Sequence, residues 1–123
     1  MTRNFILIVE DDEDLQTLYG LYLQGQDFDI ERAYNGREAF EKIAQRKPDL
    51  IILDMIMPVM DGEEFFIKLR KEKKIHDIPV IIASVNDKIS EKLFELGNVH
   101  STLQKPFGIE ILVEKVRDAL SKK

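Results

Sequence analysis

The sequence predicts an α/β domain of (βα)₅ type, a five-stranded parallel sheet with helices on both faces. Three observations lead there. Strand-length runs rich in Ile and Val recur along the chain with little polar alternation, the pattern of strands covered on both sides. Between them, apolar residues recur at helical spacing. Pro and Gly stand at the joints between these segments. Repeated βα units imply parallel strands joined by right-handed crossovers, which places helices on both faces of an open sheet.

The first strand is expected over Phe5 to Val9, and the acids Glu10, Asp11 and Asp12 end it. Leu15, Leu18, Tyr19 and Tyr22 then mark one face of a helix that Gly25 stops. A weaker strand follows over Asp29 to Ala33, and a second helix carries Ala39, Phe40, Ile43 and Ala44. Pro48 leads into the third strand, Leu50 to Leu53, with Asp54 at its exit. Met55, Met57 and Met60 suit adaptable packing around the next loop, because no Cys or His joins them as soft-metal ligands. Pro58, Asp61 and Gly62 turn the chain into a third helix bearing Phe65, Phe66 and Leu69. The basic run Lys68, Arg70, Lys71, Lys73 and Lys74 reads as the solvated end of that helix.

Pro79 precedes the fourth strand, Val80 to Ala83, which delivers Ser84. Ile89, Leu93 and Leu96 mark a fourth helix ending at Gly97, with Asn98 expected in a left-handed conformation. A short fifth strand, Thr102 to Gln104, delivers Lys105, and Pro106 is placed to open a last helix on Ile109, Leu112, Val113, Val116 and Leu120.

Composition narrows the function. The chain of 123 residues is the size of one domain able to bury a core, so residues 1–123 are read as a single unit. A net charge of -5 and a pI of 5.1 argue against a generic nucleic-acid binder, which needs clustered Lys and Arg. Absent Cys excludes a disulfide framework or a thiolate metal site. No apolar run approaches the ~20 residues of a membrane span or forms a signal-peptide core, and a soluble cytoplasmic protein is expected.

In open α/β sheets, ligands bind beyond the carboxyl ends of the strands, where the strand order reverses. The residues leaving the strands there are Glu10 and Asp11, Asp54, Ser84 and Lys105. If the first and third strands are neighbours, Asp11 and Asp54 face each other with Glu10 close by. Crowded carboxylates repel unless a proton or cation sits between them. An oxygen-only set without Cys or His suits Mg²⁺, which keeps several waters and accepts phosphate oxygens. Lys105 adds a mobile positive charge and Ser84 a hydroxyl donor. Together these groups suit phosphoryl transfer, with Asp54 as nucleophile and an aspartyl phosphate as product. Taken singly, each has a plainer explanation: Asp12 caps a helix, Asp54 suits a turn, and Ser84 and Lys105 suit a surface. Their common place at four strand ends favours the site. His76 and His100 lack ligand-spaced partners and are read as structural or surface residues.

The stretches "ILIVEDD", "PDLIILDMIMPVMDG", "IPVIIAS" and "QKPF", in that order and spacing, resemble the receiver domain of two-component response regulators over nearly the whole chain. The resemblance implies a flavodoxin-like fold with strand order 2-1-3-4-5 and a cis Lys105–Pro106 bond. It implies Glu10 and Asp11 as an acidic pair, Asp54 as phosphoacceptor, Ser84 as switch hydroxyl and Lys105 as phosphoryl-binding lysine. The main-chain carbonyl of Ile56 is implied as a further Mg²⁺ ligand. A sensor histidine kinase or phosphotransfer protein would supply the phosphoryl group, in a two-component system or phosphorelay. A downstream effector protein would read the surface of the fourth helix, fifth strand and fifth helix, without nucleic acid or membrane binding by this domain. Such a protein catalyses its own phosphorylation and dephosphorylation but is not a turnover enzyme.

Two positions depart from the family's pattern. Thr102 stands where an aromatic residue usually moves, and the branched Val85 stands where a small residue usually follows the switch hydroxyl. They support an alternative, a receiver acting mainly as a phosphorylation-independent interaction module. A metal-dependent phosphatase of the haloacid-dehalogenase type would need a second Asp where this chain has Ile56.

Overall fold

The computed structural model describes residues 3–85 and 89–121. Five strands, β1 (Phe5–Val9), β2 (Asp29–Ala33), β3 (Leu50–Asp54), β4 (Val80–Ser84) and β5 (Val99–Gln104), form one parallel sheet in the order β2-β1-β3-β4-β5. They alternate with α1 (Glu13–Gln24), α2 (Gly36–Gln45), α3 (Gly62–Lys71), α4 (Glu91–Leu96) and α5 (Ile109–Ser121). No described helix is long and apolar enough to cross a membrane.

Strand periodicity sorts the core into two layers. Leu7, Val9, Ile51, Leu53, Val80 and Ile82 face one way, against Ala39, Phe65, Phe66, Leu69 and Leu93 of α2, α3 and α4. Ile6, Ile8, Leu50, Ile52 and Ile81 face the other, against Tyr19, Leu23, Leu112, Val116 and Ala119 of α1 and α5. Because β1, β3 and β4 are buried throughout, their sequences are continuous apolar runs. β2 is an edge strand, and its charged side chains, including Asp29 paired with Arg3 and Arg46, suit an edge that must not recruit another chain.

The structure corrects several sequence expectations. β5 begins at Val99 rather than Thr102, because Val99 pairs with Val80 before a register shift. Helix α5 begins at Ile109, so Pro106 lies in the turn before it rather than at its first residue; the Lys105–Pro106 bond is cis. In α1 the buried positions are Gln16, Tyr19, Gly20 and Leu23, while Leu18 and Tyr22 are exposed. The helix therefore turns a glycine against the sheet side, where Arg32 of β2 would meet any added Cβ. Ile89 precedes α4, whose first residue is Glu91.

The basic run is not uniformly solvated. Arg70 is 1% exposed and stacks over Phe66, 4.7 Å from the ring centroid. Its guanidinium donates to the carbonyls of Ile75, Ile78, Gly97 and Asn98. These carbonyls close the α3–β4 and α4–β5 connections, where Gly97 and Asn98 both have positive φ, 93° and 60°. Burial draws the Arg70 pKa down to about 10. The loop methionines pack as expected: Met57 is buried, and Met55 and Met60 lie against the core.

Candidate functional site

With β1 between β2 and β3, the exits of β1 and β3 stand side by side. Glu10 is buried at the end of β1, Asp11 is exposed beside it, and Asp54 is buried as the last residue of β3. One carboxylate oxygen from each of Glu10, Asp11 and Asp54 lies within 4.8 Å of the other two. Asp12 takes no part in this group. It caps α1, its side chain accepting from Leu15 N at 3.1 Å, while its own backbone N–H donates to Glu10 Oε2 at 3.2 Å.

From the other side comes Lys105. Its backbone N–H donates to Ser84 O at 2.8 Å, which extends the β4–β5 pairing by one residue and fixes where the side chain starts. The ammonium donates to Glu10 Oε1 at 2.5 Å and lies 3.5 Å from Asp54 Oδ1. Burial raises the Glu10 pKa to about 7 against the opposing pull of Lys105, and burial raises Asp54 as well. One ammonium thus serves two buried carboxylates, with a third carboxylate alongside. The cluster therefore favours an added positive charge.

Ser84 is buried at the end of β4 and lines a cavity of about 230 Å³ with Met55, Ile56, Asp61, Glu63 and Leu93. The Ile56 side chain is 59% exposed, and its backbone N–H donates to Asp54 Oδ1 at 3.4 Å, which holds the nucleophile candidate against the loop. Val85 is 60% exposed immediately after Ser84, and Thr102 is exposed on the edge strand β5. His76 is exposed and His100 sits 2.7 Å from Asp118 Oδ2, so neither joins the cluster.

Three residues shape the site in ways not expected from the sequence: Gln16 was not singled out, and Tyr19 and Gly62 were read only as a helix face and a turn. Gln16 is fully buried, and its amide donates to three carbonyls at the ends of β1 and β2. Its signal was a polar residue at helical spacing from Tyr19 and Leu23, visible once the buried face of α1 is known. Tyr19 stacks on Phe107 with ring centroids 6.0 Å apart, linking α1 to the loop that follows Lys105. Gly62 opens α3 so close to the site that an added Cβ would stand 2.1 Å from the Asp54 carbonyl oxygen. A turn residue was expected there, but the close approach depends on the tertiary path of β3.

Two further hollows lie elsewhere on the surface, one beside the site and one away from it. An apolar groove of about 290 Å³ runs beside Lys105 between Leu15, Leu18, Tyr19, Phe107 and Ile109. A larger cavity of about 510 Å³ lies toward the amino ends of β1 and β2, where Arg3, Lys42 and Arg46 pair with Asp29 and Glu31. It is remote from the strand exits and takes no part in their chemistry.

What the arrangement does chemically is set by its donors. The carboxylates form an oxygen-only set without His or Cys, which suits a hard divalent cation with several retained waters. A carboxylate held at 3.5 Å from an ammonium, with Ser84 at the end of the neighbouring strand, suits attack on an electrophile bearing several negative oxygens.

Comparison with known proteins gives consistent matches. Residues 6–117 match the family model described as the response regulator receiver domain. The chain is 37% identical over 117 residues to a Porphyra purpurea protein named "Probable transcriptional regulator ycf29", covering 94% of this chain and 56% of that one. It is 34% identical over 116 residues to the response regulator MprA of Mycolicibacterium vanbaalenii, covering 94% and 49%. Among solved structures, chemotaxis protein CheY4 of Vibrio cholerae superposes with a TM-score of 0.86 at 28% identity, covering 97% of this chain and 100% of that one. The chain spans about half the length of the two curated relatives.

Proposed function

Because this chain belongs to the response regulator receiver family, we propose that it accepts a phosphoryl group on Asp54 in a Mg²⁺-dependent reaction and signals through its phosphorylated form. The observation that carries this reading is the meeting of Asp54 with Lys105, at 3.5 Å, inside the Glu10, Asp11 and Asp54 oxygen cluster. Glu10, Asp11 and Asp54 would hold Mg²⁺ together with the Ile56 main-chain carbonyl, and the ion would neutralise charge between carboxylates and phosphoryl oxygens.

In this mechanism an Asp54 carboxylate oxygen attacks the phosphorus of a histidine kinase's phosphohistidine, or of a small acyl phosphate. The new O–P bond forms as the donor's N–P or O–P bond breaks, and the electron pair leaves with the imidazole nitrogen or the carboxylate. Burial of Asp54 keeps water from its carboxylate, Lys105 takes up the charge of a phosphoryl oxygen, and Ser84 donates to another. The reaction modifies the protein itself, so each chain is used once per phosphorylation rather than turning over substrate.

The groove beside Lys105, with exposed Leu18 at its rim, suits docking of the phosphodonor's apolar surface. We assign readout by a downstream effector protein to α4, β5 and α5, which follow Ser84 directly in the chain. Residues 1–123 act in this proposal as one receiver unit.

The test is uptake of phosphate from acetyl phosphate. Incorporation with Mg²⁺, its loss with a chelator and its loss in Asp54→Asn are expected; equal incorporation by Asp54→Asn would refute the assignment.

A further inference from the structure

We infer that Gln16 is the positioning residue that sets the acidic pair for cation binding, an inference that rests on the Mg²⁺ reading above. The side chain is fully buried under the exit of β1. Its Nε2 lies 2.8 Å from Ile8 O, 3.1 Å from Glu10 O and 2.8 Å from Ala33 O. The two hydrogens of Nε2 face three carbonyl oxygens, one of them shared, and since carbonyls accept only from the nitrogen end of the amide, its orientation is fixed.

The contact falls on the residue that matters. Glu10 N donates to Ala33 O at 3.0 Å, and Glu10 O accepts from Gln16, so both main-chain polar groups of Glu10 are held. Gln16 N also donates to Asp12 O at 3.0 Å. Residues 10–12 are thereby tied at both ends to one residue of α1, with Asp11 suspended between them. Asp11 is exposed, and its carboxylate depends on this backbone for its place. The other end of the amide, Oε1, is buried without a hydrogen-bond partner among the described residues. The orphaned acceptor opposes folding and offsets part of what the three carbonyl contacts contribute. The amide's contribution is the placement of the loop.

The test uses Mg²⁺ alone as probe, titrated calorimetrically into the whole chain. Gln16→Met keeps the length of the side chain and removes the donor. Its dissociation constant for Mg²⁺ is expected to rise about tenfold, the usual size of effect for a group that orients metal ligands. Phosphate uptake at saturating Mg²⁺ should stay within about twofold, because a positioning loss appears in binding rather than in the chemical step. Val80→Ala, a core truncation at the far end of β4, lowers stability without touching the loop and should leave the Mg²⁺ constant unchanged. Gln16→Glu separates placement from charge and serves if Gln16→Met does not fold: an added negative charge alone would tighten Mg²⁺ binding, whereas three opposed carbonyls would displace the loop and weaken it.

Unchanged Mg²⁺ binding in Gln16→Met, an equal loss in Val80→Ala, or tighter binding in Gln16→Glu would each overturn the inference while the functional reading stands. Absence of Mg²⁺ binding by the unaltered protein would overturn the functional reading and the inference with it.

Discussion

Glu10 and Asp54 carry two carboxylates into a buried edge beside the single ammonium of Lys105, and the consequence is a pH dependence of unusual sign for acids. Burial lifts Glu10 from its ordinary 4.5 to about 7 and raises Asp54 too. A carboxyl with a raised folded-state value binds its proton more tightly when folded than when unfolded. Its support for the fold is complete below about 4.5 and is lost as pH rises through about 7. In the proposed function Mg²⁺ would take that proton's place, so the rise in unfolding midpoint on adding Mg²⁺ should be larger at about pH 8 than at about pH 5. Thermal denaturation at both pH values checks this; an equal or larger gain at the lower pH would count against it. The clustering of Glu10, Asp11, Asp54 and Lys105 was legible in the sequence, because each stands at or just after the end of a strand. Gln16 was not, since a glutamine among leucines gives no sign of three carbonyls waiting above it.

At the scale of elements, two joints determine whether the strand ends stay in place. Gly62 lets α3 start against Asp54, its N–H donating to Met55 O at 2.9 Å. Gly62→Ala sets a methyl group against the Asp54 carbonyl and should cost about 2 kcal/mol, the scale of overpacking. It should also slow phosphate uptake, since the clash moves the reacting strand end. The second joint is Arg70, which binds the carbonyls of two connections beside the direct bond from Asn98 Nδ2 to His76 O. Arg70→Met removes a buried donor from those carbonyls, of which Asn98 O still accepts from Val80 N, and should cost about 3 kcal/mol in urea unfolding. A cost near zero would show that water replaces the guanidinium.

Charge content made Arg70 look solvated, because a lone residue in a basic run carries no mark of the carbonyls gathered around it. The faces of α1 misled for a related reason: leucines lie on more than one side of that helix, and its inward side is set by the packing of Tyr19 and Leu23 against the sheet and α5. Strands were easier to read, since burial on both faces of β1, β3 and β4 removes polar alternation from the sequence itself. β5 was expected only from Thr102 because the preceding "VHS" is mostly polar, as suits half of an edge strand.

At the scale of the whole molecule, the order β2-β1-β3-β4-β5 makes the site, because it alone sets the β1 and β3 exits side by side and carries Lys105 in from beyond β4. That order follows from family resemblance and from no local pattern: the alternation of elements fixes parallel strands but not which strands are neighbours. We propose that this topology directs one carboxylate, that of Asp54, to become the acyl phosphate. To test it, the protein is phosphorylated with acetyl phosphate and Mg²⁺, the acyl phosphate is trapped by borohydride reduction, and the modified residue is mapped by peptide sequencing in a mass spectrometer. Modification at Asp54 alone is expected; modification at Asp11 or Glu10, or none at any carboxylate, would rule out Asp54 as the acceptor.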